Sequence, residues 1–479
     1  MIVFLIPLLP VAAALLSLLP VKPLLARVAT LVSTLAALAC ALAAAQQVGR
    51  FGDVTALANW VGIDGLSTLI LLLQAVLAVT AALYSWGYIA RAAHGDVAKE
   101  RRYYVNLNLF IMSLFLVPLL LQPALTWVAV ELTTLLSVFL VGFNQNAEGL
   151  EAAWKYAILT IMGATVAILG ILLLLFGMHQ VGGNLPETWS SLIGAASHMS
   201  PGLLRLAFVL ILIGFGTKVG LFPLHTWLPD AHSQAPSPVC ALLSGVEVST
   251  ILYVVLRLMP VFGAIPNFPV HTWLIVFGLA SVGAAAFLLL QVTDFKRMLA
   301  YSTVEHMGII VTAIGFGQAG TYAGLYQIMT HGLAKALAFY AAGAVLLIYN
   351  TRSIAEVRGL IRTSPFAAVT LLAAALAVAG SPPFAVFLSE FSIFRSGIAA
   401  GDAWVVAVLA LFIAIAFIGV MLQVGRMVFG QPSATLDGRL PRSVVGAISL
   451  SLLLVLVLGV YTPPLLQRLL ILAASAVSH

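Results

Sequence analysis

The sequence predicts an all-α membrane protein that crosses the bilayer about fourteen times. Of its 479 residues, 62% are hydrophobic and only 8% are charged, and the mean hydropathy is +1.11. A soluble globular chain is about 25% charged, so this composition excludes an ordinary soluble protein. The net charge of +6 does not indicate a nucleic-acid partner, because the basic residues lie mainly in short loops between apolar runs.

Successive apolar runs define the predicted helices, since about 20 apolar residues span the hydrocarbon core. The runs cover residues 2–20, 25–46, 66–90, 103–121, 123–143, 153–178, 203–222, 236–259, 269–291, 299–317, 321–349, 366–395, 403–428 and 443–468. An even number of spans places both ends of the chain on one side. Fifteen of the twenty Lys and Arg residues outside helix interiors then share the other side. This predicts a multi-pass membrane protein with both termini on the non-cytoplasmic side.

Helices 7 and 12 are interrupted beside ionisable residues. Gly220 and Pro223 interrupt helix 7 just after Lys218, and the segment AGSPPFAVFLSEF interrupts helix 12 ahead of Glu390. Broken helices five positions apart run in opposite directions, which is typical of inverted repeats with a transport site between them. The predicted parts are the N-terminal helices 1–3 (1–102), a first repeat of helices 4–8 (103–259), a second repeat of helices 9–13 (269–428) and the C-terminal helix 14 (443–479).

Ionisable side chains inside the predicted spans are the main functional signal. These residues are Glu131, Lys218, Glu247, Glu305, His306, His331, Lys335 and Glu390. A charge at bilayer depth costs about 2.5–3.5 kcal/mol on insertion scales, so such residues usually mark an ion pathway or a compulsory ion pair. A nearby opposite charge stabilises the charged form of a buried group, and separating the pair changes its proton affinity. The set therefore indicates proton transport.

Simpler roles remain open for single residues. Lys218 could extend along the helix to the membrane surface. Glu305 lies near a predicted helix start, where a capping or surface role is equally open. His331 and Lys335 are four residues apart and share one helix face, and charge repulsion predicts that His331 is neutral whenever Lys335 is charged.

The sequence offers no site for a redox cofactor. Its two cysteines, Cys40 and Cys240, both lie in apolar runs, which excludes a disulfide framework and a cysteine-ligated iron–sulfur or zinc site. The fragment GFGTKVG is similar to a phosphate-binding loop, but it follows an apolar helix rather than a strand. We therefore expect no cofactor and no metal in this chain.

Five segments carry a resemblance to a known family. They are VELTTLLSVFLVGFN around Glu131, KVGLFPLHTWLPDAHSQAPSPV from Lys218, YSTVEHMG around His306, THGLAKALAFYAAG around Lys335 and SPPFAVFLSEF around Glu390. Together they resemble the proton-translocating, antiporter-like membrane subunits of respiratory complex I and its relatives over nearly the whole chain. YSTVEHMG, HGLAKAL and the chain length most resemble the component F branch of hydrogenase-4, in membrane-bound group 4 [NiFe] hydrogenases and formate hydrogenlyases.

This resemblance implies a direction for the proton path. Glu131 and Lys218 would form a switching pair, with His225 near the cytoplasmic uptake side. Lys335 would be the central relay of a second half-channel. Glu390 would match the acidic residue from which protons leave.

The residues between these points match the family less regularly. By the resemblance, His306 and His331 would lie along the hydrated axis. Where several relatives carry a lysine on helix 8, this chain has Ser249, with Glu247 two residues earlier. Two residues are about 200° around a helix, so Glu247 cannot replace that lysine on the same face. Protons would then pass between the half-channels through water at Ser249, or their transfer would be impaired.

The resemblance also implies partners. The chain would be the translocating subunit of a multisubunit oxidoreductase, without redox chemistry of its own, among lipids and other membrane and peripheral subunits. A [NiFe] centre and iron–sulfur clusters would lie in partner subunits, and the transported ion would be H⁺, with Na⁺ as the alternative. Two other functions stay open. The chain could be a subunit of a multisubunit cation/proton antiporter, or a non-pumping membrane anchor of a hydrogenase or another catalytic module.

Overall fold

The computed structural model describes residues 2–19, 22–56, 60–183, 185–432 and 436–478. Two short strands, β1 (Val54–Ala56) and β2 (Val61–Ile63), form an antiparallel hairpin. The helices are α1 (Ile2–Leu18), α2 (Pro23–Phe51), α3 (Gly65–Ala92), α4 (Val97–Leu119), α5 (Pro123–Val141), α6 (Ala147–Gly182), α7 (Trp189–Ala195), α8 (Pro201–Val219), α9 (Trp227–Gln234), α10 (Ser237–Leu242), α11 (Val248–Arg257), α12 (Met259–Gly263), α13 (Val270–Leu289), α14 (Phe295–Gly315), α15 (Gln318–Tyr349), α16 (Leu360–Thr363), α17 (Pro365–Val378), α18 (Ala385–Ala399), α19 (Ala403–Val428), α20 (Arg442–Val460) and α21 (Pro464–Ser478).

Twelve helical spans within the described residues are long and apolar enough to cross a membrane. One of them, Ser237–Gly263, combines α10, a π-helical turn (Leu243–Glu247), α11 and α12. α1 is shorter, and the predicted helix 12 is divided into α17 and α18, so these are not among the twelve. The prediction of an all-α, multi-pass membrane protein is confirmed. The count of fourteen crossings and the side of the termini stay predictions.

The C-terminal region differs from the single helix expected over 443–468. α20 ends at Val460, and α21 begins at Pro464 as a separate helix. Consecutive prolines, Pro463 and Pro464, explain the break, because the residue before a proline disfavours the α conformation and a proline inside a helix lacks its N–H donor. α21 then packs against α3 and α15.

Four spans form the centre of the molecule: α3, Ser237–Gly263, α14 and α15. Between 83% and 100% of the residues in their most apolar segments are buried inside the protein, against 33% for α19 and α20. Charged side chains on the central spans can therefore face protein instead of lipid. This is the setting in which intramembrane charges are tolerated.

Both predicted broken helices are present. α8 ends before Gly220, whose φ of +84° lies in the left-handed region. Gly380, between α17 and α18, has a φ of +66°. Glycine suits these positions because it has no Cβ to clash in a left-handed conformation. The division into two inverted repeats with the boundaries given above stays a prediction.

Candidate functional site

An ion pair joins α5 to the broken end of α8. Lys218 Nζ lies 2.5 Å from Glu131 Oε1 and donates a second hydrogen bond of 3.2 Å to the Val130 carbonyl oxygen. The lysine side chain is 1% exposed and the glutamate side chain is 14% exposed. The alternative in which Lys218 extends to the membrane surface is therefore wrong. Removing one partner of a buried pair typically costs about 3–5 kcal/mol, because the other charge is left uncompensated.

The helix break favours a cation at this position. Lys218 lies in the last turn of α8, at the carbonyl end of the helix, where the helix dipole stabilises positive charge. The Thr217 carbonyl oxygen accepts a hydrogen bond of 2.7 Å from Trp227 Nε1, at the start of α9. This bond ties together the two sides of the interrupted segment.

Glu247 extends from the π-helical turn towards α5 and α6. Its Oε1 accepts hydrogen bonds from Thr133 Oγ1 (3.1 Å) and from Tyr156 OH (2.9 Å). Its Oε2 has no hydrogen-bond partner among the described residues, and its charge acts on Lys218. Glu247 therefore belongs with the Lys218–Glu131 pair. The hydroxyl of Ser249, also buried, likewise has no partner in the described part of the chain.

Lys335 lies in the middle of α15 and is completely buried. Its Nζ donates hydrogen bonds to the Leu299 carbonyl oxygen (3.0 Å) and to Ser302 Oγ, both on α14. Glu305, one turn further along α14, is 6% exposed and interacts electrostatically with Lys335. The N-cap of α14 is Asp294, and Glu305 lies three turns inside the helix. The capping or surface role left open for Glu305 is therefore wrong.

His306 and His331 lie side by side, with ring centroids 4.9 Å apart. His306 Nε2 is 2.9 Å from the carbonyl oxygen of Val378, at the end of α17. His331 Nε2 is 3.1 Å from the Ser244 carbonyl oxygen. Because a carbonyl oxygen only accepts, both Nε2 atoms donate. His306 Nδ1 accepts from Gln327 Nε2 at 3.0 Å, whereas His331 Nδ1 has no partner within the described residues.

Gln327 links the histidines to the second helix break. Its Oε1 accepts a hydrogen bond from Ser389, whose Oγ lies 2.8 Å from Thr330 Oγ1. Glu390, the next residue on α18, is 6% exposed. A Cβ added to Gly380 would overlap Glu390 Oε2. The carboxylate therefore occupies the space that the glycine leaves open in the broken helix.

His225 lies between α8 and α9 and is 7% exposed. Its ring centroid is 6.3 Å from that of Tyr301, and its Nδ1 has no hydrogen-bond partner in the part of the chain that is described. The hydrogen bonds of Lys218 go to Glu131 and Val130, so the structure does not join it to His225 directly.

The predicted site residues thus form two clusters instead of one continuous row. The first cluster contains Glu131, Thr133, Tyr156, Lys218 and Glu247. The second cluster contains Glu305, His306, Gln327, His331, Lys335 and Glu390. Ser249 and His225 are hydrogen-bonded to neither cluster. Tyr156 and Gln327 were not among the site residues predicted from the sequence, although a polar side chain inside an apolar run is the signal that could have found them.

The two clusters suit proton transfer. Histidine, lysine and glutamate side chains accept and release protons, and those in the second cluster lie next to one another away from bulk water. Among the described residues, no group of three or more His, Cys, Asp or Glu side chains is arranged to hold a metal ion.

Buried ionisable groups beside two broken helices define a class of helical membrane protein that moves ions through discontinuous spans. Comparison with known proteins makes the assignment specific. The chain belongs to the family described as NADH:quinone oxidoreductase/Mrp antiporter, TM, whose model matches residues 123–418. It is 36% identical over 409 residues to a hydrogenase-4 component F homolog from Methylacidiphilum infernorum (isolate V4), an alignment that covers 84% of this chain and 85% of that protein.

Solved structures share the fold. A chain of the Mrp complex from Dietzia sp. DQ12-45-1b matches with a TM-score of 0.87 over 99% of this chain and 96% of that chain, at 20% identity. A chain of respiratory complex I from Thermus thermophilus matches with a TM-score of 0.78 over 96% of this chain and 97% of that chain, at 25% identity. The predicted resemblance to antiporter-like membrane subunits, with similarity to hydrogenase-4 component F, is confirmed.

Proposed function

We propose that this chain translocates protons as a membrane subunit of a redox-driven assembly of the complex I or energy-converting hydrogenase type. The observation that carries the proposal is the second cluster, where a lysine, two histidines and two glutamates lie buried within spans enclosed by protein. Intramembrane ionisable groups are costly and usually mark a transport path. Membership of the NADH:quinone oxidoreductase/Mrp antiporter family supports the same function.

In the proposed cycle, a proton is taken up from the cytoplasmic side and released on the other side. It passes, in order, through His225, Lys218, His306, His331, Lys335 and Glu390. Glu131 controls the proton affinity of Lys218, because separating the pair destabilises the charged amine. Within the described residues, Glu247 Oε2 and the Ser249 hydroxyl have no hydrogen-bond partner. Glu247 and water at Ser249 would carry the proton between the clusters.

Buried ionisable groups can meet the energetic requirement of moving protons against a membrane potential. Against a membrane potential of about 200 mV, moving one charge costs about 4.6 kcal/mol. A relay group working against that load must change its proton affinity by more than about three powers of ten. Separating a buried carboxylate from a buried lysine produces changes of that size.

The electron-transfer chemistry would lie in partner subunits, with a [NiFe] centre and iron–sulfur clusters as the expected cofactors. This part of the proposal rests on the similarity to a hydrogenase-4 component F homolog. The assembly would lie in the bacterial inner membrane, with both ends of this chain on the non-cytoplasmic side. Its other contacts would be lipids and further membrane and peripheral subunits.

Two other functions each have a specific observation in their favour. The fold shared with a chain of the Mrp complex favours a subunit of a cation/proton antiporter without a redox partner. The Ser249 hydroxyl, which has no hydrogen-bond partner among the described residues, favours a non-pumping membrane anchor, since it passes no hydrogen bond between the clusters.

The coupling ion and the driving reaction distinguish these functions. In vesicles containing the purified wild-type assembly, we expect redox turnover to build a pH gradient that a protonophore collapses and that persists in Na⁺-free buffer. A gradient that requires Na⁺ and forms without a redox substrate would favour the antiporter. Redox turnover without any gradient would favour the anchor.

Gly380→Ala is expected to reduce proton translocation per electron by about tenfold or more, because misplacing a reacting group by about 1 Å is enough for such losses. The added Cβ would overlap Glu390 Oε2. The matched control is Gly401→Ala, since Gly401 also has a left-handed φ (+89°) but no atom within 4 Å of the added Cβ. Equal losses in both variants would show that backbone strain, and not displacement of the carboxylate, is responsible.

A further inference from the structure

A cavity of about 580 Å³ opens beside α9 and the ends of α3 and α15, on the side predicted to be cytoplasmic. Its lining is mainly polar and basic and includes Tyr88, Ser233, Lys296, Asn350 and Arg352. A cavity of this volume with several polar partners is large enough to hold many water molecules. None of the predicted site residues lines it.

His232 precedes the cavity-lining residue Ser233 on α9. It is completely buried, and neither its Nδ1 nor its Nε2 has a hydrogen-bond partner among the described residues. Its ring stacks on Phe339, with centroids 5.1 Å apart and planes 21° apart. A buried imidazole with two unsatisfied nitrogens is unfavourable unless water reaches it or it has a functional role.

The position of Phe339 connects His232 to the second cluster. Phe339 is four residues after Lys335 on α15, so the two side chains share one helix face. The charges of both Lys335 and the cavity residue Lys296 act on His232. Along α15, Phe339 lies between Lys335 and the cavity-lining Leu346. The stacked ring of His232 therefore lies between the cavity and the central lysine of the second cluster.

The backbone around His232 is held rigidly. Lys296 Nζ donates to the carbonyl oxygens of Ser233 (3.1 Å) and Ala235 (2.5 Å), and Arg352 donates to the Ser233 carbonyl oxygen (3.0 Å). Ser233 Oγ donates to Asp294 Oδ2 at 2.6 Å. The imidazole is thus presented in a fixed place, as a relay group requires.

We propose that His232 relays protons from this cavity to Lys335, as a second cytoplasmic uptake route that bypasses Ser249. The inference rests on the proposed proton translocation and says how protons reach the second cluster. One imidazole nitrogen accepts a proton from cavity water, and the other nitrogen releases its proton towards neutral Lys335, so the ring ends neutral. The Lys218–Glu131 pair then acts on the second cluster through its charge, and the gap at Ser249 does not interrupt the supply of protons.

The basic lining also bears on which ion uses the route. Lys296 and Arg352 place fixed positive charge at the cavity, which disfavours a hydrated Na⁺ or K⁺. A proton can be passed along hydrogen-bonded water and a neutral imidazole without a free cation occupying the cavity. The route is therefore selective for protons.

The test is His232→Phe in the whole assembly, because phenylalanine keeps the ring and its stacking but removes both nitrogens. We expect proton translocation per electron to fall by at least about tenfold, which is less than the hundredfold or more typical of losing a sole proton-transfer group, because the route past Ser249 remains. Phe339→Leu removes the stacking and keeps the imidazole, so it is expected to retain most of the translocation. His198→Phe replaces an exposed histidine outside the cavity and outside both clusters, and is expected to match wild type.

The outcomes separate this inference from the proposed function. If the wild type and His232→Phe translocate protons equally, the relay is overturned, while the proposed function stands. Equal losses in His232→Phe and Phe339→Leu would also overturn it, because stacking would then be the only role of the ring. If the wild-type assembly shows redox turnover without proton translocation, the proposed function itself is contradicted.

A second measurement does not depend on replacing His232. Ser233→Cys, in a background of Cys40→Ala and Cys240→Ala, is treated from the cytoplasmic side with a charged, membrane-impermeant thiol reagent. We expect labelling that lowers translocation by at least about tenfold, as expected when a proton path is blocked. The same background without the new cysteine is the control. Absence of labelling, or full translocation after labelling, would show that the cavity is not the uptake route.

Discussion

Replacing Lys335 with methionine is expected to stop proton translocation while electron transfer in the assembly continues. Lys335 is completely buried in the second cluster and donates hydrogen bonds to Leu299 and Ser302. Methionine has a similar length and no titratable group, so the protein should assemble while the central relay is lost. We expect a fall in protons translocated per electron of at least about a hundredfold.

The stability of the Lys335→Met variant should change little. Removing the buried amine leaves Ser302 Oγ without that donor, at a cost of about 1–3 kcal/mol, whereas the Leu299 carbonyl oxygen still accepts from the hydroxyls of Ser302 and Thr303. The substitution also removes the cost of burying a charge. Lys22→Met is the control, because Lys22 is an exposed lysine outside both clusters. Translocation by Lys335→Met at the level of Lys22→Met would contradict a central role for Lys335.

The Lys218–Glu131 pair should show strong coupling between its two members. Lys218→Met alone leaves a largely buried carboxylate without its partner, and Glu131→Gln alone leaves a buried amine. Each single variant is expected to lose about 3–5 kcal/mol of stability, whereas the double variant should recover much of that loss. All three should lose redox-driven proton translocation, because no switchable pair remains.

Thermal unfolding of the purified assembly and proton translocation per electron measure the two parts of this prediction separately. Recovery of stability in the double variant without recovery of translocation would show that the pair has a transport role beyond holding α5 to α8. Wild-type translocation by both single variants would contradict the proposed cycle. Losses of stability that simply add in the double variant would show that the two side chains do not interact energetically.

Much of the fold could be predicted because the bilayer constrains the sequence strongly. Backbone polar groups must be satisfied within each span, so long apolar runs become helices whatever their partners are. Breaks at Gly220 and Gly380 were visible because glycine and proline interrupt runs that otherwise continue. The separate helix α21 was missed because its apolar residues extend the preceding run, and only Pro463 and Pro464 divide them.

The candidate site was less predictable because its contacts join helices far apart in sequence. The hydrogen bonds from Tyr156 to Glu247 and from Ser389 to Gln327 depend on how helices pack, which periodicity does not reveal. The same limit explains why the site residues, which the sequence indicated as a single row, lie in two clusters in the structure. His232 lies within the LPDAHSQAP segment that supported the family resemblance, yet only the cavity lined by the next residue, Ser233, indicates a role.

The most direct test is redox-driven proton uptake by inverted vesicles containing the whole assembly, with wild type and Lys335→Met compared at equal redox turnover. We predict a pH gradient, acidic inside, in wild-type vesicles and none in vesicles with Lys335→Met. Equal gradients in both would contradict proton transfer through the second cluster. Equal turnover with no gradient in either would contradict proton translocation by this chain.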